Sequence, residues 1–294
     1  MSCLSSGSRL PVTLHPSPRY ALAPVKPQDL INSMDSALVE TLAYRLREAQ
    51  STRAPIAPIR DELAALGVAG AYAVQLANTR HGLRHGRRLA GRKIGLTARS
   101  VQAQLGVDQP DYGMLFADMA LCDGDDVPPN AVLQPKVEAE VAFMMGRDVV
   151  HADATPAEVM AAVEFLLPAI EVVGSRIEAW NIKLLDTVAD NASSGLYVVG
   201  NEPRRLQGID LRLCGMVMER DGDEVSTGNG AACLGHPLNA LVWLARKMAE
   251  VGQPLRSGDL VMSGALGPMV SARPGDYFEA RIDGLGSVRL GFAA

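Results

Sequence analysis

One stretch constrains this chain more than any other: Gln134-Pro-Lys-Val-Glu-Ala-Glu-Val-Ala-Phe143, in which small or apolar residues alternate with charged ones. Alternation at period two reads as a β-strand, and it puts Glu138 and Glu140 side by side on the same face. On a solvated edge such a pair would repel slightly and mean little. Val137, Val141 and Phe143 point instead to a central strand, where two carboxylates are costly unless a cation joins them. Spacing alone leaves both readings open, and the metal site is the sharper one.

The whole chain sets outer bounds. Its 294 residues suffice for one full hydrophobic core. A formal net charge of -5 argues against nucleic acid or an anionic membrane as partner. Cys3, Cys122, Cys214 and Cys233 lie far apart with no C-x-x-C pair, which disfavours a zinc knuckle or a disulfide framework and fits a reducing, cytoplasmic setting. No run of about 18 apolar residues occurs, so no membrane-spanning helix is expected.

Residues 1–33 are rich in Ser and Pro and read as a disordered tail, with Met34 an alternative start. Residues 34–294 are expected to form a single α+β domain, helical to about residue 90 and β-rich after it. Helices are predicted from Asp35 or Ser36 to Gln50 and over Ala71 to Leu83. Gly91 to Thr97 reads as a short strand and turn, with Thr97 capping a helix that holds Val101 and Leu105. Asp108 to Phe116 reads as a loop shaped by Pro110 and Gly113. Thr155-Pro-Ala-Glu158 is a capping box that opens a helix at Pro156, running to about Phe165. Leu167 to Val173 is an apolar strand carrying Glu171. Asp186 to Gly195 has the composition of a tight loop. Strands are predicted at Tyr197–Val199 and Leu211–Glu219, with Asp221-Gly222 a hairpin turn. A helix over Pro237–Glu250 and strands at Leu260–Ser263, Met269–Ala272, Tyr277–Ile282 and Ser287–Phe292 complete the chain.

Three strand carboxylates, Glu138, Glu140 and Glu171, form a hard oxygen set suited to Mg²⁺ or Mn²⁺. No histidine lies near them, which disfavours zinc and copper. A 2-oxo acid suits such an ion, because its carboxylate and 2-oxo group chelate it and the ion stabilises a developing enolate. Lys93, between Gly91 and Gly95, could add positive charge or a proton, and Asp111 could move a proton or orient water. As plain structural residues, Lys93 reads as an ion pair and Asp111 as a turn former. Ser193 and Ser194, beside Gly195, lack a nucleophile elbow and a histidine partner, so substrate hydrogen bonding fits better than acylation. Ser263 and Gly264 open a segment that reads equally as a backbone cradle for a carboxylate and as a glycine-rich hairpin.

Five segments, residues 91–97, 104–113, 135–140, 186–195 and 234–239, resemble in order and spacing the hydratase/decarboxylase family of catechol meta-cleavage pathways, within the fumarylacetoacetate hydrolase superfamily. The likeness covers residues 35–294. It implies an α+β fold, a β-rich roll of mixed sheets with outer helices. It also implies a divalent metal on Glu138, Glu140 and Glu171, acid/base roles for Lys93 and Asp111, no organic cofactor, and a homo-oligomer associated with the next pathway enzyme, an aldolase. The implied reaction is hydration of 2-hydroxypenta-2,4-dienoate to 4-hydroxy-2-oxopentanoate. Alternatives are decarboxylation of 2-oxohex-3-enedioate, for which Arg92 is the candidate for the second carboxylate although, as a strand neighbour of Lys93, it points to the opposite face, and carbon–carbon bond hydrolysis, which would want a histidine or glutamate base. A scaffold that had lost its chemistry would show a broken glutamate set, and this one is complete. Substrate chain length is left open, since one methylene is worth only about 1–3 kcal/mol.

Overall fold

The computed structural model describes residues 33–99, 102–103 and 107–294. The expected tail, apart from Ser33, lies outside the described residues, as do Val101 and Leu105; the expected helix is described only at Arg99, Gln102 and Ala103, where the Gln102 N–H donates to the Ala98 carbonyl at 3.0 Å.

Three helices open the described chain, α1 (Ser33–Thr52), α2 (Arg60–Leu63) and α3 (Gly67–Arg84). Leu42, Ala43 and Leu46 on α1 bury against Val74 and Ala77 on α3, with Ile59 and Leu63 beneath. This is the apolar stripe that the i, i+4 spacing prescribes. Buried Gln75 on α3 donates from Nε2 to the carbonyls of Tyr112 and Val188, which ties the helical layer to the strands.

The strands follow as β1 (Leu89–Gly95), β2 (Asp111–Phe116), β3 (Ala120–Leu121), β4 (Asp126–Val127) and β5 (Lys136–Met145), then β6 (Val163–Val173) after helix α4 (Pro156–Ala162). Helix α5 (Leu184–Ala189) precedes β7 (Ser194–Val199), β8 (Gly215–Arg220) and β9 (Asp223–Asn229). Helix α6 (Pro237–Glu250) precedes β10 (Leu260–Met262), β11 (Val270–Ser271), β12 (Tyr277–Ile282) and β13 (Gly286–Phe292). One sheet runs β2-β1-β10-β5-β6-β7-β3, with β11 also on β5, and the other runs β4-β13-β12-β8-β9. Both are mixed: β1–β10, β3–β7 and β4–β13 are parallel and the other pairs antiparallel. Strands β5 and β6 lie centrally, with Val137, Val141, Phe143, Ile170 and Val172 fully buried.

The structure departs from the sequence reading at four places. Asp111–Phe116 is a strand, not a loop; all six residues are buried, so no alternation marks it. The helix opened by the capping box ends at Ala162, and Phe165 already belongs to β6. Leu184–Ala189 forms a helix where a tight loop was expected, its first turn held by Asp186, which accepts from the Lys183 N–H at 2.9 Å. Strand β8 starts at Gly215, because Asp210 turns the chain before it by accepting from the N–H groups of Arg212 and Leu213.

The capping box itself forms: the Thr155 N–H donates to Glu158 Oε2 at 2.7 Å, and Thr155 Oγ1 accepts from the Glu158 N–H at 3.3 Å. Thr155→Ala is therefore expected to cost about 1 kcal/mol, a fall of roughly 2–4 °C in Tm by scanning calorimetry, without loss of activity. An unchanged Tm would show that the cap contributes nothing.

Candidate active site

Strand register builds the site. Antiparallel pairing sets Glu138 of β5 opposite Glu171 of β6, and Glu140 follows two residues along β5 on the same face. One carboxylate oxygen from each lies within 4.8 Å of the others. Glu140 and Glu171 are fully buried, whereas Glu138 is partly exposed and lines a cavity of about 120 Å³. Glu140 Oε2 accepts from the Gly264 N–H at 2.8 Å. Glu140 Oε1 and Glu171 Oε1 accept no hydrogen bond, and Glu171 Oε2 faces only the Lys93 ammonium, 3.3 Å away. Burial pushes all three carboxyls up, Glu171 to about 7, with Lys93 opposing the shift.

Lys93 on β1 enters from the neighbouring part of the sheet. Its Nζ lies 3.3 Å from Glu171 Oε2 and donates to the Ala192 carbonyl at 3.0 Å. Burial works against its ammonium, yet Glu171, helped by Asp111, Glu138 and Glu140, holds its pKa above the ordinary lysine value. Asp111 opens β2 directly across from Gly95. Its Oδ2 accepts from Thr187 Oγ1 at 3.4 Å, and Thr187 Oγ1 lies 3.3 Å from Ser193 Oγ. Asp111 Oδ1 has no partner, and burial raises this carboxyl as well.

Gly95 makes room for Asp111, since a Cβ there would stand 2.2 Å from Oδ1. Gly95→Ala must displace that carboxylate by about 1 Å, so a loss of roughly a hundredfold in kcat/KM is expected in steady-state assays. Near-wild-type kinetics would show that Asp111 need not sit where it does.

The serines divide. Ser193 lines the same cavity as Lys93, Asp111 and Glu138. Ser194 faces a separate cavity of about 570 Å³ between α1, α3 and the loop after α5, with its Oγ unpartnered. The cause is backbone conformation. Asn191, Ala192 and Ser193 are all left-handed, with φ of 53°, 50° and 57°, which costs of order 1–3 kcal/mol at each non-glycine residue. Surrounding bonds hold them: Asn191 pairs with both the N–H and the carbonyl of Met114, and Asp190 with Arg176. Ser263 Oγ accepts from the Val141 N–H and donates to the Gly264 carbonyl, so it fixes the turn whose N–H reaches Glu140 rather than facing the cavity. Gly264, at φ +96° with a Cβ position 2.4 Å from Thr97 Oγ1, fits that turn as glycine.

Thr187, Leu96, Val173, Trp180, Ile182 and Met269 also line the cavity, and sequence reasoning did not single them out. Thr187 carried a signal, lying within a recognised motif. The apolar residues carried none, because loops and tertiary packing bring them to the cavity.

The family described as fumarylacetoacetate (FAA) hydrolase C-terminal matches residues 73–292. The chain belongs to the fumarylacetoacetate hydrolase family. Among its relatives is the TodF product hydratase of Pseudomonas putida, 56% identical over 263 residues, which cover 90% of this chain and 98% of that protein. The 2-keto-4-pentenoate hydratase of Paraburkholderia xenovorans is 55% identical over 253 residues, 86% of this chain and 94% of the relative. Among solved structures, 4-oxalocrotonate decarboxylase from Pseudomonas putida G7, complexed with magnesium and adipate, superposes with a TM-score of 0.84 at 34% identity, covering 87% of this chain and 98% of that one. The mixed sheets with outer helices are thus the fold of the fumarylacetoacetate hydrolase family, as the sequence implied. No helix among the described residues is long and apolar enough to cross a membrane.

Proposed function

We propose that this protein is a hydratase converting 2-hydroxypenta-2,4-dienoate to 4-hydroxy-2-oxopentanoate, with Mg²⁺ or Mn²⁺ held by Glu138, Glu140 and Glu171. The observation that carries the reading is the three-carboxylate face itself. Its donors are all oxygen, Glu140 Oε1 and Glu171 Oε1 are buried without a hydrogen-bond donor, and Glu171 Oε2 has only the Lys93 ammonium at 3.3 Å, which is the chemistry a hard divalent cation completes. The names of relatives at 55–56% identity support the same activity. When bound, the cation supplies Lewis-acid stabilisation of negative charge on the substrate's 2-oxygen.

The residues around it divide the remaining work. Lys93 sets a positive charge beside Glu171 at the inner end of the cavity, where the substrate's carboxylate and 2-oxygen bind. Hydration requires the enol O–H proton to leave and C5 to gain one, giving a conjugated 2-oxo-3-enoate. Water then adds its hydroxyl at C4 and a proton at C3. Asp111 Oδ1, buried and without a partner, is the atom that holds the moving proton, and burial keeps it protonated to higher pH than an ordinary aspartate. Thr187 and Ser193 orient Asp111 and the attacking water.

The cavity also favours hydration over decarboxylation. Lys93 is the one cation among its described lining residues, so a second substrate carboxylate finds no counter-charge there. Arg92 does not line it, and its Nη1 donates to the Gly91 carbonyl. No histidine is among its described lining residues either, and the glutamate there, Glu138, belongs to the metal-ligand set, which weighs against a carbon–carbon bond hydrolase. The product is itself an aldol of a 2-oxo acid, so a retro-aldol enzyme is the natural consumer. The proposal includes a cytoplasmic homo-oligomer associated with that aldolase, which light scattering on the purified protein and its mixture with the aldolase tests.

Incubating the protein with the dienoate and Mg²⁺, Mn²⁺ or EDTA tests the chemistry. Metal-dependent loss of dienoate absorbance with gain of one water by mass is expected. An untouched dienoate, with CO₂ lost from 2-oxohex-3-enedioate, would overturn it.

A stability effect follows from the carboxyls. A glutamate raised to about 7 in the folded state binds more protons than its unfolded counterpart between roughly pH 4.5 and 7. The metal-free protein therefore loses stability as pH rises through that window, and a cation restores it. Mg²⁺ or Mn²⁺ is expected to raise Tm more at pH 8 than at pH 6; an equal rise at both would contradict the ligand set.

A further inference from the structure

We infer that Trp180 is the specificity-determining wall of the cavity, placed where the hydrocarbon end of the substrate lies, so that it selects short, uncharged tails. The inference rests on the hydratase reading and extends it to chain length.

The cavity is polarised from inside to mouth. Lys93, Asp111, Thr187 and Ser193 are buried and polar. Ile94 and Val173 are buried apolar neighbours of that inner end, whereas Trp180 and Ile182 are half-buried and Met269 is exposed, so the large apolar side chains at the mouth are these three. A 2-oxo acid whose charged end meets Lys93 and the glutamates must direct anything beyond C5 toward Trp180 and its neighbours.

Trp180 is fixed far more firmly than a half-exposed aromatic needs for packing. Its Nε1–H donates to the Gln134 carbonyl at 3.0 Å. The Lys136 ammonium sits over the ring, 4.4 Å from its centroid, in a cation–π contact. Ala179 and Trp180 are both left-handed, with φ of 53°, a conformation that non-glycine residues adopt when the surroundings over-determine it. Gln134 is also left-handed, and its side chain donates to the carbonyls of Ser175 and Ile177, locking the partner that locks the indole. Strain and bonds together hold one large flat side chain at the mouth of a small cavity. A wall of this kind discriminates by shape, because a rigid ring cannot move aside for an extra methyl group. Lys136, whose charge is felt at Glu138, is meanwhile engaged on the ring and does not line the cavity, so it offers no ready partner to a carboxylated tail.

The test compares 2-hydroxypenta-2,4-dienoate with its six-carbon homologue 2-hydroxyhexa-2,4-dienoate at saturating Mg²⁺, in wild type, Trp180→Ala and Trp180→Leu. Each truncation is expected to shift the ratio of kcat/KM by about tenfold or more toward the six-carbon substrate, mainly through KM. A parallel fall for both substrates with the ratio unchanged would make Trp180 merely structural and overturn the inference. Should the wild type turn over neither dienoate, the hydratase reading fails, and calorimetric binding of 2-oxopentanoate and 2-oxohexanoate with Mg²⁺ still tests the wall. There the truncations are expected to favour the longer acid about tenfold, and unchanged relative affinity would overturn it. Trp180→Leu keeps an apolar filler at the mouth and serves if Trp180→Ala fails to fold.

Discussion

Replacing Glu138 by Gln is expected to lower metal-dependent kcat/KM by about a thousandfold, while the metal-free protein keeps or slightly raises its Tm. The two halves have one cause. Glu138, Glu140 and Glu171 are three carboxylates on one sheet face, with oxygens within 4.8 Å of each other, and burial already raises each of them. Glutamine keeps the shape of Glu138 and removes one of the mutually repelling charges, so the apo fold is relieved rather than harmed. The same change takes one anion from the ligand set, and about 4 kcal/mol of charge stabilisation in the transition state corresponds to roughly a thousandfold in rate. Glu138 is the best member to replace because it is partly exposed and faces the cavity, so the substitution disturbs little packing. Titration with Mn²⁺ followed by Tm and turnover separates the effects. Wild-type turnover with an unchanged metal response would remove Glu138 from the site.

Much of this arrangement was legible in the residues. Alternation over Lys136–Phe143 specified the strand and the shared face of Glu138 and Glu140, and an acidic residue in an otherwise apolar strand singled out Glu171. Its place opposite Glu138 was not legible, because register is set by pairing between strands, here between residues 33 positions apart in the chain. Strand β2 was misread for a related reason. Burial on both faces removes the alternation that reveals a strand, and Pro110 and Gly113 look like loop residues until β1 is seen beside them. Ser193 and Ser194 were read as a pair, but three consecutive left-handed residues turn the first toward one cavity and the second toward another. Left-handed backbone at non-glycine residues leaves no sequence signature, which is also why Trp180 passed unnoticed. The capping box at Thr155 was legible because every contact in it is local.

Lys93→Met should be the most disruptive single change at the site, and its two effects separate by pH. Methionine preserves most of the volume on β1 but removes the ammonium that lies 3.3 Å from Glu171 and donates to the Ala192 carbonyl. Breaking a buried ion pair by deleting one partner typically costs about 3–5 kcal/mol, because the other charge is left unsolvated. Glu171 escapes part of that cost by taking up a proton, since its carboxyl already stands at about 7 with the lysine present and rises further without it. The apo Tm of the variant is therefore expected to fall more at pH 8, where neutralising Glu171 is harder, than at pH 6. Activity should fall about 10²- to 10⁴-fold at both, as loss of a positioned charge or proton donor does. Added Mg²⁺ should narrow the Tm gap, because a cation between the glutamates replaces the missing charge, without restoring turnover. Turnover within tenfold of wild type, alongside the loss in Tm, would make Lys93 a structural ion pair and leave Asp111 as the remaining candidate for the proton chemistry.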